Sequence, residues 1–229
     1  RPNMGESFTD REFPQGWPGH LWCEGRTFVH LKNDQSRPSH MPRGPAAKSG
    51  SGFMNPAMAP ARTRSVLLLQ DALQHGWVNG DRPIRALDVL CATGIRVRRW
   101  RNEIDMNLQS KLHITANDLD KNALDWALTS IDSDEVVSHT SHIDDEQEKP
   151  HFIEKNGIKF QHYDARMAMV QGSFQWIDVD PFGSPITFID SALQALGRVG
   201  VLEVTATDTA ALTGSSASSG MRRYGHRGI

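Results

Sequence analysis

The chain has 229 residues, 38% hydrophobic and 23% charged, an ordinary globular composition that can bury a core and excludes fibrous and disorder-dominated classes. Its formal net charge is −2, its two cysteines stand far apart without CxxC or paired-histidine spacing, and it has no apolar run of about 18 residues. No disulfide framework, metal site or membrane span is expected in this segment, and the compartment expected is reducing: cytoplasm, or nucleus or mitochondrion in a eukaryote.

The first 20 residues are rich in Pro and Gly, and "LWCEGRTFVHL" (21–31) alternates as a strand or hairpin does. Residues 33–52, dense in Pro, Gly and Ser, predict a long loop, so residues 1–52 read as an N-terminal extension. "ARTRSVLLLQDALQHG" follows, with Val66, Leu67, Leu69 and Leu73 at helical spacing and Gly76 placed as the cap.

From Ile84 short apolar runs alternate with helical periods. "IRALDVL" precedes a helix over 95–103; "LHITAND" precedes one over 120–130; "GIKFQHYD" precedes a short helical turn. "FQWIDVD" leads to a helix over 186–196, and "GVLEVTATD" is the fifth strand. This alternation predicts an α/β domain over 53–229, a parallel sheet with helices on both faces. An acidic stretch, 131–150, reads as a solvated insertion; seven acids against Lys149 make it −6 and leave +4 elsewhere. Arginines cluster in that remainder at Arg62 and Arg64, at Arg96, Arg98, Arg99 and Arg101, and at Arg222, Arg223 and Arg227. Such clusters suit a solvated helix face or a polyanion alike.

In open parallel sheets, ligands bind beyond the carboxyl ends of the strands. Asp88, Asp118, Asp164 and Asp180 fall at or near four such ends, so four carboxylates are expected along one edge of one cleft. Each alone could equally cap a helix. "LDVLCATGIRVRRW" (87–100) keeps only Gly94 of a GxGxxG pattern, which disfavours a pyrophosphate. A single glycine turn followed by "ANDLD" (116–120) instead suits S-adenosylmethionine. Asp118 would take the ribose hydroxyls, and Gly94 would let backbone approach the amino-acid end. A plain α/β turn with Asp118 capping the next helix stands beside that reading. In "QHYDA" (161–165), Asp164 is placed to accept an adenine amino group.

The fourth strand ends in "DVDPFGSP" (178–185), although a buried strand gains nothing from a terminal Asp-Pro-Phe-Gly. An exocyclic amine on a nucleobase is a poor nucleophile that becomes cationic as it takes a methyl group and must then lose a proton. A carboxylate at Asp180 would orient the N–H and stabilise that charge. Pro181 stiffens the loop, Phe182 can stack on an extruded base, and Gly183 permits close approach. The alternative is a type I turn with a buried Phe.

"FMNPAMAPARTRSV", "LDVLCATGIR", "ANDLD", "HYDA", "DVDPFGSP" and "VTATDTAALTG" through "MRRYG" occur here in the order found in tRNA guanine-N2 dimethyltransferases. Over 53–225 the chain resembles that family. The resemblance implies a class I S-adenosylmethionine-dependent methyltransferase sheet, Rossmann-like and incomplete at its C-terminus. It implies transfer of one or two methyl groups to N2 of a guanine, at position 26 of a tRNA partner. It also implies Asp180 as the catalytic carboxylate, with Pro181, Phe182 and Gly183 at the substrate. Phe53, Arg62, Arg96, Asp118 with Leu119, Asp164 and Ala165 are the implied cofactor contacts, joined by Asp88 and Gly94. Where the family shows Asn-Arg-Asp, this sequence has Ala61-Arg62-Thr63. Family members continue past Gly225 with two more strands and a tRNA-gripping domain, so an N-terminal catalytic part is expected. Rival readings are an amino-methyltransferase for another RNA or DNA base, a nucleotide-dependent oxidoreductase, and a non-catalytic RNA-binding module.

Overall fold

The computed structural model describes residues 13–33, 54–132 and 152–225. All but the first residue of the predicted 33–52 loop, Phe53, and the acidic stretch past Asp132 lie outside the described residues. His20–Glu24 (β1) and Thr27–Leu31 (β2) form an antiparallel hairpin. Its Val29 and Leu31 pack on Met54 and Ile95. A 3₁₀ turn, Pro56–Met58, leads into α1 (Ala59–His75). That helix ends as predicted: Gly76 is left-handed at φ 67°, and its N–H donates to the Ala72 carbonyl at 2.9 Å.

The α/β unit runs β3 (Ile84–Asp88), α2 (Ile95–Glu103), β4 (Leu112–Asp118), α3 (Lys121–Asp132), β5 (Phe152–Lys155) and β6 (Ile158–His162). It continues with α4 (Ala165–Val170), β7 (Phe174–Val179), α5 (Ile186–Ala195) and β8 (Leu196–Val204). Two helices follow, α6 (Thr209–Leu212) and α7 (Ala217–Tyr224), neither of which the apolar pattern announces. The sheet order is β5-β6-β4-β3-β7-β8, parallel throughout except for β5 against β6. β5 corrects the sequence reading, which assigns no strand between the helix over 120–130 and Gly157. Asn156 and Gly157, at φ 50° and 68°, make a two-residue hairpin turn. Ile131 and Asp132 likewise close α3 and do not open an insertion.

One apolar layer joins Ile84, Ala86 and Trp176 to α1, α2 and α3; the other joins Leu87, Ile177 and Val179 to α4 and α5. Side chains in a strand alternate between faces, so Asp88 follows Ile84 and Ala86 onto the α2 side, and Asp178 follows Trp176. The register sets Asp88 directly beside Asp178. From the central β3 the order runs outward to β4 on one side and β7 on the other, and at that switch point a cleft opens over the strand ends.

Candidate active site

A cavity of about 470 Å³ lies over this switch point, lined by the 3₁₀ turn, the β3–α2 turn, the ends of β4 and β7, and the start of α5. The β3–α2 turn is tightly specified. Gly94 caps α2 at φ 72°, and a Cβ there would stand 3.3 Å from that of Ala127. Ala92 also sits at positive φ, 46°, a conformation that costs an L-residue about 1–2 kcal/mol and persists where surroundings enforce it. Its N–H donates to Asp118 Oδ2 at 2.8 Å, while Oδ1 accepts the Asp120 N–H at 2.9 Å. Asp120 Oδ1 accepts the Asn122 and Ala123 N–H groups at the start of α3, so the helix-capping alternative belongs to Asp120. Fully buried Asn117 ties the three strand ends together, donating to the carbonyls of Val89 and Tyr163, both at 3.0 Å.

The floor of the cavity is a cluster of carboxylates around one cation. Arg96, 5% exposed, places Nε 2.9 Å from Asp178 Oδ2 and donates through Nη2 to Asp180 Oδ2 at 3.0 Å. Burial opposes the Arg96 charge, but Asp178, Asp88, Asp180 and Glu203 together hold its pKa above the ordinary value. Burial pushes the Asp178 carboxyl well up, Arg96 countering and Asp88 adding to the rise. Asp118 is raised by burial, against the backbone N–H groups of Asp120 and Ala92.

Asp88 is raised to about 7, burial being the largest cause and Arg96 the main opposing one. An unfolded Asp titrates near 3.9, so between about pH 4 and 7 the folded chain holds the proton that the unfolded chain has lost. This group therefore lowers stability as pH rises through that window. The unfolding midpoint of Asp88→Asn should gain on the parent from about pH 4 to 7 and keep a constant lead above it, as paired thermal melts across pH will read. A difference independent of pH would contradict the assignment.

Arg62 receives its support from an element remote in sequence. Its Nε and Nη2 donate to Glu24 Oε1 and Oε2 at 2.7 and 2.6 Å, and Nη2 also reaches the Asn55 carbonyl at 3.1 Å. Arg99 Nη1 donates to Glu24 Oε1 at 2.9 Å and to the Thr63 hydroxyl at 3.0 Å. Glu24 on β1 thus clamps two buried guanidiniums, and Thr63 serves that clamp from the position after Arg62.

Arg62, Asp88, Arg96, Asp118, Asp180, Pro181 and Phe182 all line the cavity. Phe182 is 52% exposed, open enough to meet a base. Gly183 stands behind the lining, its N–H donating to the Thr207 hydroxyl at 2.8 Å and its carbonyl accepting the Thr207 N–H at 3.1 Å. Gly94 shapes the turn from beneath. Leu119, Asp164 and Ala165 are not brought into the cavity: Leu119 is exposed, and Ala165 is buried in the α4–α5 layer. Asp164 caps α4 and pairs with exposed Arg166 at 3.1 Å, which lowers its pKa. Phe53 lies outside the described residues.

Sequence reasoning missed Asp178, Glu24, Asn117 and Thr207. The first had a signal, since two acids at spacing two share a strand face; the others are visible only once strands pair. Two further cavity-lining atoms, Asn55 Nδ2 and Thr93 Oγ1, are buried without a hydrogen-bond partner among the described residues, and neither oxygen of Asp178 has an aligned one. Unmet donors beside a carboxylate cluster fit a ligand that brings both a carboxylate and positive charge.

Residues 35–229 match the model of the family described as N2,N2-dimethylguanosine tRNA methyltransferase. The chain belongs to this family. It is 33% identical over 174 residues to the tRNA (guanine(26)-N(2))-dimethyltransferase of Pyrococcus furiosus, covering 75% of this chain and 41% of that protein. To the enzyme of the same name from Methanobrevibacter smithii it is 36% identical over 178 residues, covering 75% and 38%. The solved structure of Trm1 from Pyrococcus horikoshii with S-adenosyl-L-methionine superposes with a TM-score of 0.65 and 28% identity, over 90% of this chain and 47% of that one. The fold is the class I methyltransferase sheet expected from the family resemblance. The chain spans about two fifths of the length of these curated relatives.

Proposed function

We propose that the protein is an S-adenosylmethionine-dependent tRNA methyltransferase that places two methyl groups on N2 of guanine 26. Residues 53–229 are its catalytic part and 1–52 an extension that supplies the Glu24 clamp, with an acidic insertion following α3. Its place is the compartment in which tRNA is modified, the cytoplasm, or the nucleus or mitochondrion of a eukaryote. Among the described residues no helix is long and apolar enough to cross a membrane, and no cluster of His, Cys, Asp or Glu could hold a metal ion.

The observation that carries this reading is Asp180 itself: 23% exposed, fixed by Arg96 and followed at the cavity wall by open Phe182. The cofactor, when bound, supplies an electrophilic methyl group on a sulfonium. Asn55 and Thr93 would take its carboxylate, Asp88 would balance its positive charge, and Asp118, which retains lone pairs on both oxygens, would hold the ribose diol. Asp164, which lies outside this cavity, would serve the adenine amino group only if its pair with exposed Arg166 opened. Phe182 stacks on the flipped guanine, and Asp180 accepts a hydrogen bond from N2. As N2 took the methyl group it would become cationic, and Asp180 would accept the proton it sheds.

The test is transfer of labelled methyl from S-adenosylmethionine to unmodified tRNA by the full-length protein, followed by nucleoside digestion. N2,N2-dimethylguanosine is the expected product. Cofactor binding with no methylated guanosine from tRNA would overturn the proposal.

A further inference from the structure

Asp178 differs from the other cavity acids in a way the reaction does not need. It is 1% exposed, too deep to touch an acceptor base, and lies directly beside the equally buried Asp88. Like charges adjacent across strands destabilise a sheet, so a second buried carboxylate at this register is a cost without a packing return. What it does engage is Arg96, by an ion pair with 2.9 Å between Oδ2 and Nε in which the N–H is not aligned on the oxygen, while the same guanidinium reaches Asp180 Oδ2 through Nη2 at 3.0 Å. Nε and Nη2 lie along one edge of a rigid plane, so a charge attraction that draws one end in sets the direction of the other. Oδ1 of Asp180 has no partner among the described residues and is left for the acceptor.

We propose that Asp178 is a positioning residue: it anchors Arg96 so that the guanidinium edge fixes the angle of Asp180, and its effect falls chiefly on the second methyl transfer. This rests on the function proposed above. Unmodified guanine offers two N2 hydrogens, and a carboxylate at a poor angle can still find one. N2-methylguanine offers a single hydrogen beside a methyl group, so one orientation of base and carboxylate is productive. Loosening Asp180 therefore penalises the second transfer more than the first.

The experiment compares Asp178→Asn with parent and Asp180→Asn in the full-length protein, measuring kcat and KM on unmodified tRNA, cofactor affinity by calorimetry, and the ratio of mono- to dimethylated nucleoside. The expected result is a fall in kcat of about ten- to a hundredfold, unchanged KM and cofactor affinity, and accumulation of N2-methylguanosine. Parent-like kcat and product ratio would overturn the proposal. So would equal loss of both transfers, or loss of cofactor affinity in step with kcat, since packing damage or cofactor binding would then explain the variant. Should Asp178→Asn not fold, Arg96→Lys asks the same question, because an ammonium keeps the charge but has no planar edge to span both carboxylates. An unchanged product ratio in that variant overturns the idea equally. Full activity in Asp180→Asn would sink the functional reading itself, whereas an inactive Asp180→Asn beside a parent-like Asp178→Asn would sink only the positioning role.

Discussion

Asp180→Asn is expected to slow methyl transfer by a factor on the order of 10²–10⁴ while leaving cofactor binding nearly intact. The substitution is close to isosteric, and Asn can still accept a hydrogen bond from Arg96 Nη2, now at 3.0 Å, so the loop keeps its shape. Thr207 continues to hold Gly183 through its hydroxyl and N–H. What the amide cannot do is take the amine proton or balance the positive charge that develops on N2. Single-turnover methylation of tRNA and calorimetric titration with S-adenosylmethionine separate the two effects. A rate near the parent's would remove Asp180 from the chemistry; joint loss of rate and binding would make it a cofactor ligand.

The largest expected loss of stability is at a residue remote from the reaction. Glu24 is 8% exposed and answers both Arg62 and Arg99, 4% and 3% exposed. Burial raises the carboxyl of Glu24, but its hydrogen bonds and charge contacts with Arg62 and Arg99 outweigh burial and leave the pKa below the ordinary value. Glu24→Ala leaves buried Arg62 without its anion and Arg99 with Glu103 alone, and breaking a buried pair typically costs about 3–5 kcal/mol. In a domain of this size that is a fall on the order of 10 °C in the unfolding midpoint, measurable by calorimetry. The depressed pKa adds a signature of opposite sign to that of Asp88: the Glu24 contribution is present above the unfolded pKa and lost as pH falls through the folded one. The gap between parent and Glu24→Ala should therefore shrink on acidification. A gap that is small at neutral pH would show the clamp to be replaceable.

Arg62 shows where sequence reasoning runs out. Family resemblance marked it as a cofactor contact, and its neighbours Ala61 and Thr63 offered it no carboxylate. The carboxylate comes from Glu24, 38 positions earlier, on a hairpin whose partner strand packs Val29 and Leu31 against Met54 and Ile95. Asp178 teaches the same lesson at shorter range. Its spacing of two from Asp180 predicts a shared face, but that the face is crossed by Arg96 depends on α2 lying over the ends of β3 and β7.

Sequence alone determined what periodicity and local chemistry encode: five parallel strands, the α1 stop at Gly76, the glycine turn at Gly94, and acids at successive strand ends that include Asp88, Asp118 and Asp180. Those features are legible because strand alternation, left-handed caps and helix spacing act over a few residues. Only the tertiary structure decided which acids meet. Strand order brings Asp88, Asp178 and Asp180 around Arg96, and leaves Asp164 beside Arg166 on the surface and Ala165 in the opposite apolar layer. It also put Glu24 beneath Arg62, because buried charge must find its partner in space and neighbouring positions in the chain did not supply one; Arg99 has Glu103 one helical turn on and shares Glu24 besides.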